Sequence, residues 1–398
     1  MTYSSTRWEA AMAPNYPTPA LQLLQGKGCK VTDSEGRTYT DLLAGIAVSI
    51  LGHAHPALVR AVSTQVGLIA HTSNLYANAP SLRLAERLQE RTRIFSPGHK
   101  LIFQNSGTEA NEAALKLVRR HAHGQGMPEA VVLSFHNSFH GRTAGAVKLT
   151  GQAHYQEGFT PLPEQIVHVP FNDPAALEQA FGQHRVAGVF FEAVQGEGGV
   201  LPLTADTART MQRLCTANNA ILVADEIQTG VGRTGKFFAF EHDGLVPDVV
   251  TLAKGLGGGL PIGAVLVNPA KAGLLPAGAH GTTFGGNPVA CAAGNAVLDV
   301  LESDNLIGRA KALGQTFQDA LGDAGMSSRG RGLLLGVPLA GPTAADAVKA
   351  MRESGYLIGN AGKSVVRIAP PLVIPEADLL GAVPHLAKAV QTSAAPAT

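Results

Sequence analysis

Short runs of β-branched and other apolar residues alternate with helix-period segments through the middle of this chain, and this alternation constrains the fold more than any other feature. The runs that have the length and composition of buried strands are residues 100–103, 130–134, 186–191, 221–224 and 249–252. Between them, apolar residues recur at the spacing of one helix face, at Ala110, Ala113, Ala114, Leu117 and Val118 and again within residues 204–218. The alternation predicts an α/β fold with a mainly parallel sheet that helices cover on both faces.

The length of 398 residues is more than one compact core usually holds, so we expect a large domain, a smaller one and a cleft between them. Residues 56–290 contain the alternating segments and are predicted to form the large domain. Residues 291–398 begin with a helix-like stretch, and the glycine-interrupted residues 329–339 look like a strand of a small α+β domain. Residues 1–55 are expected to pack with that small domain.

Charge and cysteine content exclude several classes of partner. The 31 Lys and Arg residues nearly balance 30 Asp and Glu residues, so no long-range field attracts nucleic acid or an anionic membrane, and a small-molecule substrate is favoured. Cys29, Cys215 and Cys291 are too widely separated to indicate a disulfide framework or a zinc site.

The N-terminal segment lacks the pattern of a secretory signal, and the longest apolar run, 42–51, is too short to span a bilayer. We therefore expect a cytoplasmic protein.

Chemically opposite residues follow two of the predicted strands. Asp225 comes directly after the strand 221–224, and Lys254 follows the strand 249–252 after one alanine. Ligand crevices of open α/β sheets lie at the carboxyl ends of the strands, so both side chains can enter one site. A partly desolvated lysine can attack an aldehyde, and an acid can keep a pyridine nitrogen protonated. The alternative is a structural salt bridge, but the glycine-rich loop 255–263 favours a site where the backbone approaches a ligand closely.

Residues 105–109, Asn-Ser-Gly-Thr-Glu, follow another predicted strand and begin the alanine-rich helix. Ser106 and Glu109 have the spacing of a capping box, and the free amides at that helix start attract an anion such as a phosphate. A plain helix cap without a ligand is the alternative interpretation.

Two other patterns have weaker support. The spacing of Gly230, Gly232 and Gly235 matches a dinucleotide fingerprint, and with Lys236 it approaches a P-loop, but Phe237 stands where the magnesium-binding Ser or Thr is needed. A nucleotide-binding oxidoreductase or NTPase, or a binding protein without cofactor, therefore stays an alternative. The histidine pairs 53/55 and 136/140 lack the accompanying ligands of a zinc site, so no metal is predicted.

Residues 225–230 together with Lys254 resemble the class III, or ornithine-type, aminotransferases, which are pyridoxal-phosphate enzymes of fold type I. The resemblance extends from about residue 16 to about residue 375, and it also rests on residues 43–56, 71–76, 105–112, 137–143, 195–200 and 367–372. It implies a large domain built on a mainly parallel seven-stranded sheet, a smaller α+β domain and pyridoxal 5'-phosphate as cofactor. Ala193, in place of a usual proline after Glu192, and His136, in place of a common acidic residue, depart from the pattern at positions without a predicted contact.

The resemblance also implies roles for individual residues. Lys254 would carry the cofactor, Asp225 would pair with its ring nitrogen, and Gln228 would lie near its ring hydroxyl. Phe139 would stack on the ring, and the phosphate would be held by Gly107 and Thr108. Thr283 would reach the phosphate of a neighbouring subunit and Thr282 its substrate, which implies a homodimer with shared active sites.

Substrate recognition follows from the same resemblance. Arg142 would bind a substrate carboxylate, Arg367 would bind the α-carboxylate of glutamate, and Glu197 would neutralise Arg367 while the amine donor is bound. Ile46 stands where ornithine aminotransferases have a tyrosine that holds the free α-amino group, so a donor with a masked α-nitrogen is favoured. We expect N2-acetylornithine as donor and 2-oxoglutarate as acceptor, with glutamate as product, in arginine biosynthesis. Ornithine, 4-aminobutyrate, succinyl-diaminopimelate and carrier-linked aminoadipate semialdehyde remain alternatives, the last in lysine biosynthesis.

Overall fold

The structure is a computed structural model that describes residues 4–93, 95–163, 165–341 and 343–392. Its strands are β1 Leu23–Lys27, β2 Lys30–Asp33, β3 Thr38–Asp41, β4 Lys100–Gln104, β5 Val131–Phe135, β6 Ile166–Val169, β7 Val186–Phe191, β8 Val194–Gln195, β9 Leu201–Pro202, β10 Ile221–Asp225, β11 Val249–Leu252, β12 Gly263–Val267, β13 Arg329–Arg331, β14 Leu334–Pro338, β15 Tyr356–Leu357, β16 Gly359–Asn360 and β17 Val365–Ile368.

Its α-helices are α1 Ser5–Ala11, α2 Ala44–Ala47, α3 Pro56–Leu68, α4 Ala79–Thr92, α5 Gly107–Gly124, α6 Ala144–Leu149, α7 Pro174–Gln183, α8 Ala205–Ala217, α9 Pro288–Ser303, α10 Leu306–Asp323, α11 Ala344–Glu353, α12 Glu376–Leu380 and α13 Val383–Thr392. Short 3₁₀ helices span Ala153–Tyr155, Ala239–His242, Lys254–Gly257 and Ala272–Leu274. Within the described part of the chain, no helix is long and apolar enough to cross a membrane.

The central sheet has seven strands in the order β4-β12-β11-β10-β7-β5-β6. All neighbours pair in parallel except β12, which is antiparallel to both β4 and β11. The predicted mainly parallel sheet is therefore confirmed, and each of the five predicted strands lies within one residue of the observed bounds. Sequence periodicity did not identify β6 and β12. β6 is a half-buried strand that contains His168, so it lacks the bounded apolar run that marks the others. β12 does contain such a run, residues 264–267, directly after the glycine-rich loop.

Helices cover both faces of the sheet because the strands are apolar on both sides. On one face, the predicted stripe of α5 is fully buried against the sheet residues Val132, Phe190, Val223 and Val265. The alanines of this stripe let the helix axis approach the sheet closely, which larger side chains would prevent. On the other face, the apolar sides of α8 and α9 join the larger core cluster. The central strands are consequently shielded from water along their whole length.

The two ends of the chain share a sheet. β15, near the C-terminus, pairs in parallel with β3, so that Tyr356 lies opposite Thr40. Residues 329–339, expected to be one strand, instead form the hairpin β13 and β14, because Gly332 adopts φ 55° in the two-residue turn between them. β14 continues through β17 to β16 in an antiparallel sheet. The strand pairing places the N-terminal segment beside the C-terminal one, and the exact division into domains stays a prediction.

The dinucleotide-like glycines pack against helices. Gly232 has φ 86°, and a Cβ atom on it would lie 3.0 Å from a Leu301 side-chain atom. Gly235 has φ 84°, and a Cβ atom there would lie 2.8 Å from the Cβ atom of Lys311. The close approach of α9 and α10 to this loop accounts for these two glycines, without any need for a bound phosphate.

Candidate active site

A cavity of about 350 Å³ lies at the carboxyl ends of the parallel strands. Its wall combines the ends of β7 and β10, the start of α5 and the loop that follows β11. The lining residues are Val48, Asn105, Ser106, Gly107, Thr108, Phe139, His140, Gly141, Glu192, Asp225, Ile227, Gln228, Ala253, Lys254, Gly259, Leu260, Pro261 and Ile262. The structure thus brings Gly107, Thr108, Phe139, Asp225, Gln228 and Lys254, all singled out from the sequence, around one space.

Lys254 opens the 3₁₀ helix after β11 with φ 43°, a backbone conformation that few residues other than glycine adopt. Its side chain borders the cavity but is otherwise enclosed by protein, and this desolvation lowers the pKa of its ammonium group. Among the described residues, Nζ forms no hydrogen bond and no ion pair. The amine therefore faces the cavity without a competing partner, and its lowered pKa makes the loss of its proton easier.

Asp225 ends β10 and is 4% exposed. Its Oδ2 accepts hydrogen bonds from Asn111 Nδ2 and His140 Nδ1, both at 2.7 Å, and its Oδ1 accepts one from the amide of Ile227 at 3.0 Å. The Asn111 side chain is held in turn by Thr251, whose Oγ1 donates to Asn111 Oδ1 at 2.9 Å. Neither Asn111 nor His140 was assigned a contact from the sequence. An asparagine next to the apolar stripe of α5 was the available signal.

The start of α5 presents backbone amides to the cavity. Ser106 caps the helix, because its Oγ accepts from the amide of Glu109 at 3.2 Å. The predicted capping box is nevertheless wrong in its second half, since Glu109 Oε2 accepts from the amide of Asn105 at 2.9 Å and not from that of Ser106. The amides of Gly107 and Thr108 have no acceptor among the described residues, so they remain available to an anion.

Glu192 was noted in the sequence but not assigned to the site. It stands directly after β7, and its Oε2 accepts a hydrogen bond from the amide of Phe139 at 3.1 Å. Burial, reinforced by the nearby charge of Asp225, holds the pKa of this carboxyl well above its ordinary value. The strand-end rule that identified Asp225 and Lys254 would also have identified Glu192.

Arg367, on β17, is 4% exposed and lies beside the cavity wall. Its Nη1 donates to Glu197 Oε1 and, at 3.2 Å, to Oε1 of Gln228, which lines the cavity. Its Nε is buried and has no hydrogen-bond partner among the described residues. The structure therefore brings together the arginine and the glutamate that the sequence placed 170 positions apart.

The remaining predicted residues lie around the cavity at different distances from it. The amide of Arg142 donates to Thr108 Oγ1 at 3.3 Å, and its guanidinium lies over aromatic rings. Thr282 Oγ1 accepts from Asn105 Nδ2 at 3.1 Å. Thr283 is exposed, and Ile46 is 42% exposed with φ 65°. In the described part of a single chain, Thr283 and Ile46 are not among the residues that line the cavity.

The known proteins that resemble this chain agree with one another. The family model described as "Aminotransferase class-III" matches residues 11–390. A protein of Mycolicibacterium smegmatis named acetylornithine aminotransferase is 47% identical over 402 residues, which cover 99% of each chain. A protein of the same name from Mycobacterium tuberculosis is 50% identical over 390 residues, which cover 96% of this chain and 94% of that protein.

Solved structures give the same result. The ornithine aminotransferase of Toxoplasma gondii ME49 superposes with a TM-score of 0.92 at 32% identity, and the match covers 98% of this chain and 96% of that one. The N-acetylornithine aminotransferase of Stenotrophomonas maltophilia K279a superposes with a TM-score of 0.82 at 37% identity, over 95% and 97%. These matches confirm the resemblance stated from the sequence and the fold type that it implied. This chain belongs to the class III aminotransferases.

Proposed function

We propose that this protein transfers the terminal amino group of N2-acetylornithine to 2-oxoglutarate, and that N-acetylglutamate 5-semialdehyde and glutamate are the products. The observation that carries the proposal is the cavity in which an unpaired, enclosed Lys254 amine faces the same space as the buried carboxylate of Asp225. The relatives named acetylornithine aminotransferase, at 47% and 50% identity over nearly the full chain, support this donor.

The residues around the cavity fit pyridoxal 5'-phosphate, the cofactor that membership of this family implies. The unpaired amides of Gly107 and Thr108 offer donors to the phosphate, and glycine is needed there because a Cβ atom on Gly107 would lie 2.7 Å from Ile227 Cδ1. The buried Asp225 carboxylate offers an acceptor for a protonated ring nitrogen, Gln228 offers a side-chain amide near the ring, and Phe139 offers an aromatic face. Lys254 offers the amine that bonds to the cofactor.

The bound cofactor would supply an aldehyde carbon for the amine and a ring that withdraws electrons from the reacting carbon. The chain's own part is to control protons and orientation. Lys254 Nζ, whose pKa is lowered by desolvation, is suited to accept a proton and to return it, as general base and then general acid. Asn111 and His140 keep the Asp225 carboxylate fixed, because both donate to the same oxygen at 2.7 Å.

Two chemically different substrates must use this one site in turn, and the pair Arg367–Glu197 accounts for that. While the donor reacts through its terminal amine, no carboxylate lies near Arg367, and Glu197 neutralises the buried guanidinium. When glutamate or 2-oxoglutarate binds, its α-carboxylate takes the place of Glu197. Glu197 is suited to this movement because its side chain is 24% exposed, whereas that of Arg367 is 4% exposed.

The acyl group of the donor fits the surroundings of Ile46. This side chain is apolar and 42% exposed in the single chain, so it provides no hydrogen bond for a free ammonium group. An N-acetyl group avoids the cost of an unpaired charge at this position. Ornithine, 4-aminobutyrate, succinyl-diaminopimelate and carrier-linked aminoadipate semialdehyde are the competing donors.

We also propose that the active enzyme is a homodimer. Ile69, Leu75, Tyr76 and Phe284 are large apolar side chains that are all at least 48% exposed in the single chain. The segments that bear them lie together, because Asn74 Nδ2 donates to the carbonyl oxygen of Thr282 at 3.0 Å and the Phe284 ring contacts that of His71. A second copy would cover this apolar patch, defined by Ile69, Leu75, Tyr76 and Phe284, and would bring Thr283 close to the partner's site.

The proposed donor is tested by single-turnover absorbance of the cofactor-loaded enzyme mixed separately with N-acetylornithine, ornithine, 4-aminobutyrate and succinyl-diaminopimelate. We expect N-acetylornithine to remove the visible absorbance of the cofactor fastest. Lys254→Ala is the control, and it should show no conversion with any of the four amines. A faster reaction with another amine would mean that the protein is an aminotransferase with a different donor. Protein that binds no pyridoxal phosphate would contradict the proposal altogether.

A further inference from the structure

Tyr155 contacts two residues of the proposed site, Arg142 and Phe139. It ends the 3₁₀ helix Ala153–Tyr155. The Cζ atom of Arg142 lies 3.5 Å from the centroid of the Tyr155 ring. On another side, the Tyr155 ring meets the Phe139 ring edge to face, with centroids 5.9 Å apart and planes at 85°. Arg142 also lies over the Phe139 ring, at 5.7 Å from its centroid, so the three side chains contact one another and the contact with Tyr155 is the shorter of the two that Arg142 makes.

The distance of 3.5 Å means that the guanidinium lies directly over the tyrosine ring. Such a contact uses the flat face of the guanidinium and leaves its in-plane N–H groups free to bind a carboxylate bidentately. The Arg142 side chain is exposed, and among the described residues it has no hydrogen bond and no ion pair. The charge of the Arg142 guanidinium is thus not balanced by a carboxylate among the described residues. The rings of Tyr155 and Phe139 are the groups that limit the orientation of the guanidinium.

This stack is fixed to the wall of the cavity at two points. The amide of Phe139 donates to Glu192 Oε2 at 3.1 Å, and the amide of Arg142 donates to Thr108 Oγ1 at 3.3 Å. Glu192, Phe139 and Thr108 all line the cavity. The guanidinium consequently has a defined position relative to the place where the amine reacts.

We propose that Tyr155 is a positioning residue that holds Arg142 for the carboxylate of the amine donor, and that it thereby favours donors with a carboxylate remote from the reacting amine. The inference rests on the carboxylate-binding role proposed for Arg142. It concerns Tyr155 itself, which binds neither cofactor nor substrate in this account.

The first test compares two donors that differ by one carboxylate, N-acetylornithine and N-acetylputrescine. Tyr155→Leu removes the aromatic face, and we expect it to raise KM for N-acetylornithine up to about fivefold, the effect of losing a cation–π contact at an exposed site, while kcat stays within about twofold. The kcat/KM for N-acetylputrescine should stay within about twofold, because this donor has no carboxylate to place. Tyr155→Phe keeps the ring and should restore the wild-type KM.

An equal loss for both donors in Tyr155→Leu would overturn the inference, since the substitution would then disturb the site as a whole. Retention of the wild-type KM for N-acetylornithine in Tyr155→Leu would overturn it as well. Thermal midpoint and cofactor absorbance of each variant check that the protein folds and loads normally.

The second test does not depend on the identity of the donor. It measures the dissociation constant of glutarate, a dicarboxylate without an amine, by calorimetry on the loaded enzyme. Tyr155→Leu should weaken glutarate binding up to about fivefold when Arg142 is present, and by less than about twofold in an Arg142→Ala background. The same weakening in both backgrounds would show that Tyr155 does not act through Arg142. If the wild type did not prefer N-acetylornithine to N-acetylputrescine, the proposed function would fail, and the glutarate measurement would still decide the role of Tyr155.

Discussion

At the scale of single residues, the proposed site is unusual for the number of acidic groups buried beside it. Asp225, Glu192 and Glu226 lie at the ends of two neighbouring strands and are each less than 7% exposed. Among the described residues, their hydrogen bonds come from amides, a hydroxyl, an asparagine and a histidine. Hydrogen bonds from these fixed groups keep each carboxyl in a defined position, which a site for an electron-withdrawing ring requires.

The burial of Glu226 leads to a prediction for the pH dependence of the free energy of unfolding. Burial raises the pKa of Glu226 from an ordinary 4.5 to about 7, although Thr229 Oγ1 and the amide of Phe240 donate to it at 2.6 Å and 2.9 Å. The folded state therefore keeps a proton that the unfolded chain loses above pH 4.5. The contribution of Glu226 to the free energy of unfolding is complete below pH 4.5 and is lost as the pH rises through 7. Glu226→Gln cannot titrate. Between pH 4 and pH 8 its free energy of unfolding should fall by about 3 kcal/mol less than that of the wild type.

Denaturant unfolding at the two pH values measures this difference. The control is Glu353→Gln, which removes a carboxylate from the end of α11 and should leave the wild-type pH dependence unchanged. Parallel pH profiles of the wild type and Glu226→Gln would show that Glu226 is not the titrating group.

Glu197 makes a prediction about substrate selection. In Glu197→Ala, the Arg367 guanidinium loses its charged partner and stays positive in a buried position. The unpaired guanidinium then favours a donor that places a carboxylate beside it over one that places an uncharged methylene chain there. The kcat/KM for N-acetylornithine should therefore fall relative to that for glutamate. We expect the ratio to change about tenfold or more, since a hydrogen bond to a charged group contributes about 1.5–3 kcal/mol. Separate half-reactions with each donor give the ratio. Glu197→Gln, which keeps an acceptor without the charge, is the matched variant, and an unchanged ratio in both would argue against the switch.

At the scale of elements, the start of α5 and the end of β10 are fitted against each other at the proposed phosphate site. A Cβ atom on Gly107 would lie 2.7 Å from Ile227 Cδ1, and the amide of Ile227 donates to Asp225 Oδ1. In Gly107→Ala, the Ile227 side chain must shift, and with it the packing that holds the helix start next to the Asp225 segment is disturbed. Overpacking of this kind costs about 1–3 kcal/mol, so we expect the dissociation constant of pyridoxal phosphate to rise about tenfold.

Titration of the apoprotein with pyridoxal phosphate, followed by absorbance, measures this constant. The matched control is Gly124→Ala at the opposite end of the same helix, where an added Cβ atom would meet no atom within 4 Å. Gly124→Ala should bind the cofactor like the wild type. Equal affinity of Gly107→Ala and wild type would mean that the helix start is not the phosphate site.

At the scale of the whole molecule, the apolar patch next to Thr283 predicts self-association. Phe284→Asp places a charge in this patch, where Phe284 is 60% exposed in the single chain, and should weaken the dimer by at least about tenfold. Sedimentation across a dilution series gives the dissociation constant, and cofactor retention should fall with dimer content. Val246→Asp changes a 43% exposed side chain outside the patch, and it should leave association unchanged. A wild type that sediments as a monomer at all concentrations would contradict the dimer.

Elements with local signals could be predicted from the amino-acid sequence. The predicted bounds of the strands β7 and β11 agree with the structure to the residue. The predicted helix 204–218 exceeds α8 only by its two capping residues. Apolar periodicity and capping residues are properties of short segments, which explains this agreement. Asp225 and Lys254 were identified because parallel strands gather their carboxyl ends at one edge of a sheet. The pairing of Arg367 with Glu197 was implied only by resemblance to known aminotransferases.

Contacts between distant residues depend on how the chain folds in three dimensions. His140 lies 85 positions before Asp225 and donates to it because β10 and the loop after β5 converge at the same edge. Tyr155 stacks on Arg142, and α9 and α10 close on Gly232 and Gly235, and no local pattern reports these contacts. The physical reason is that periodicity records which side of an element is buried, whereas the partner across that buried face depends on the path of the whole chain.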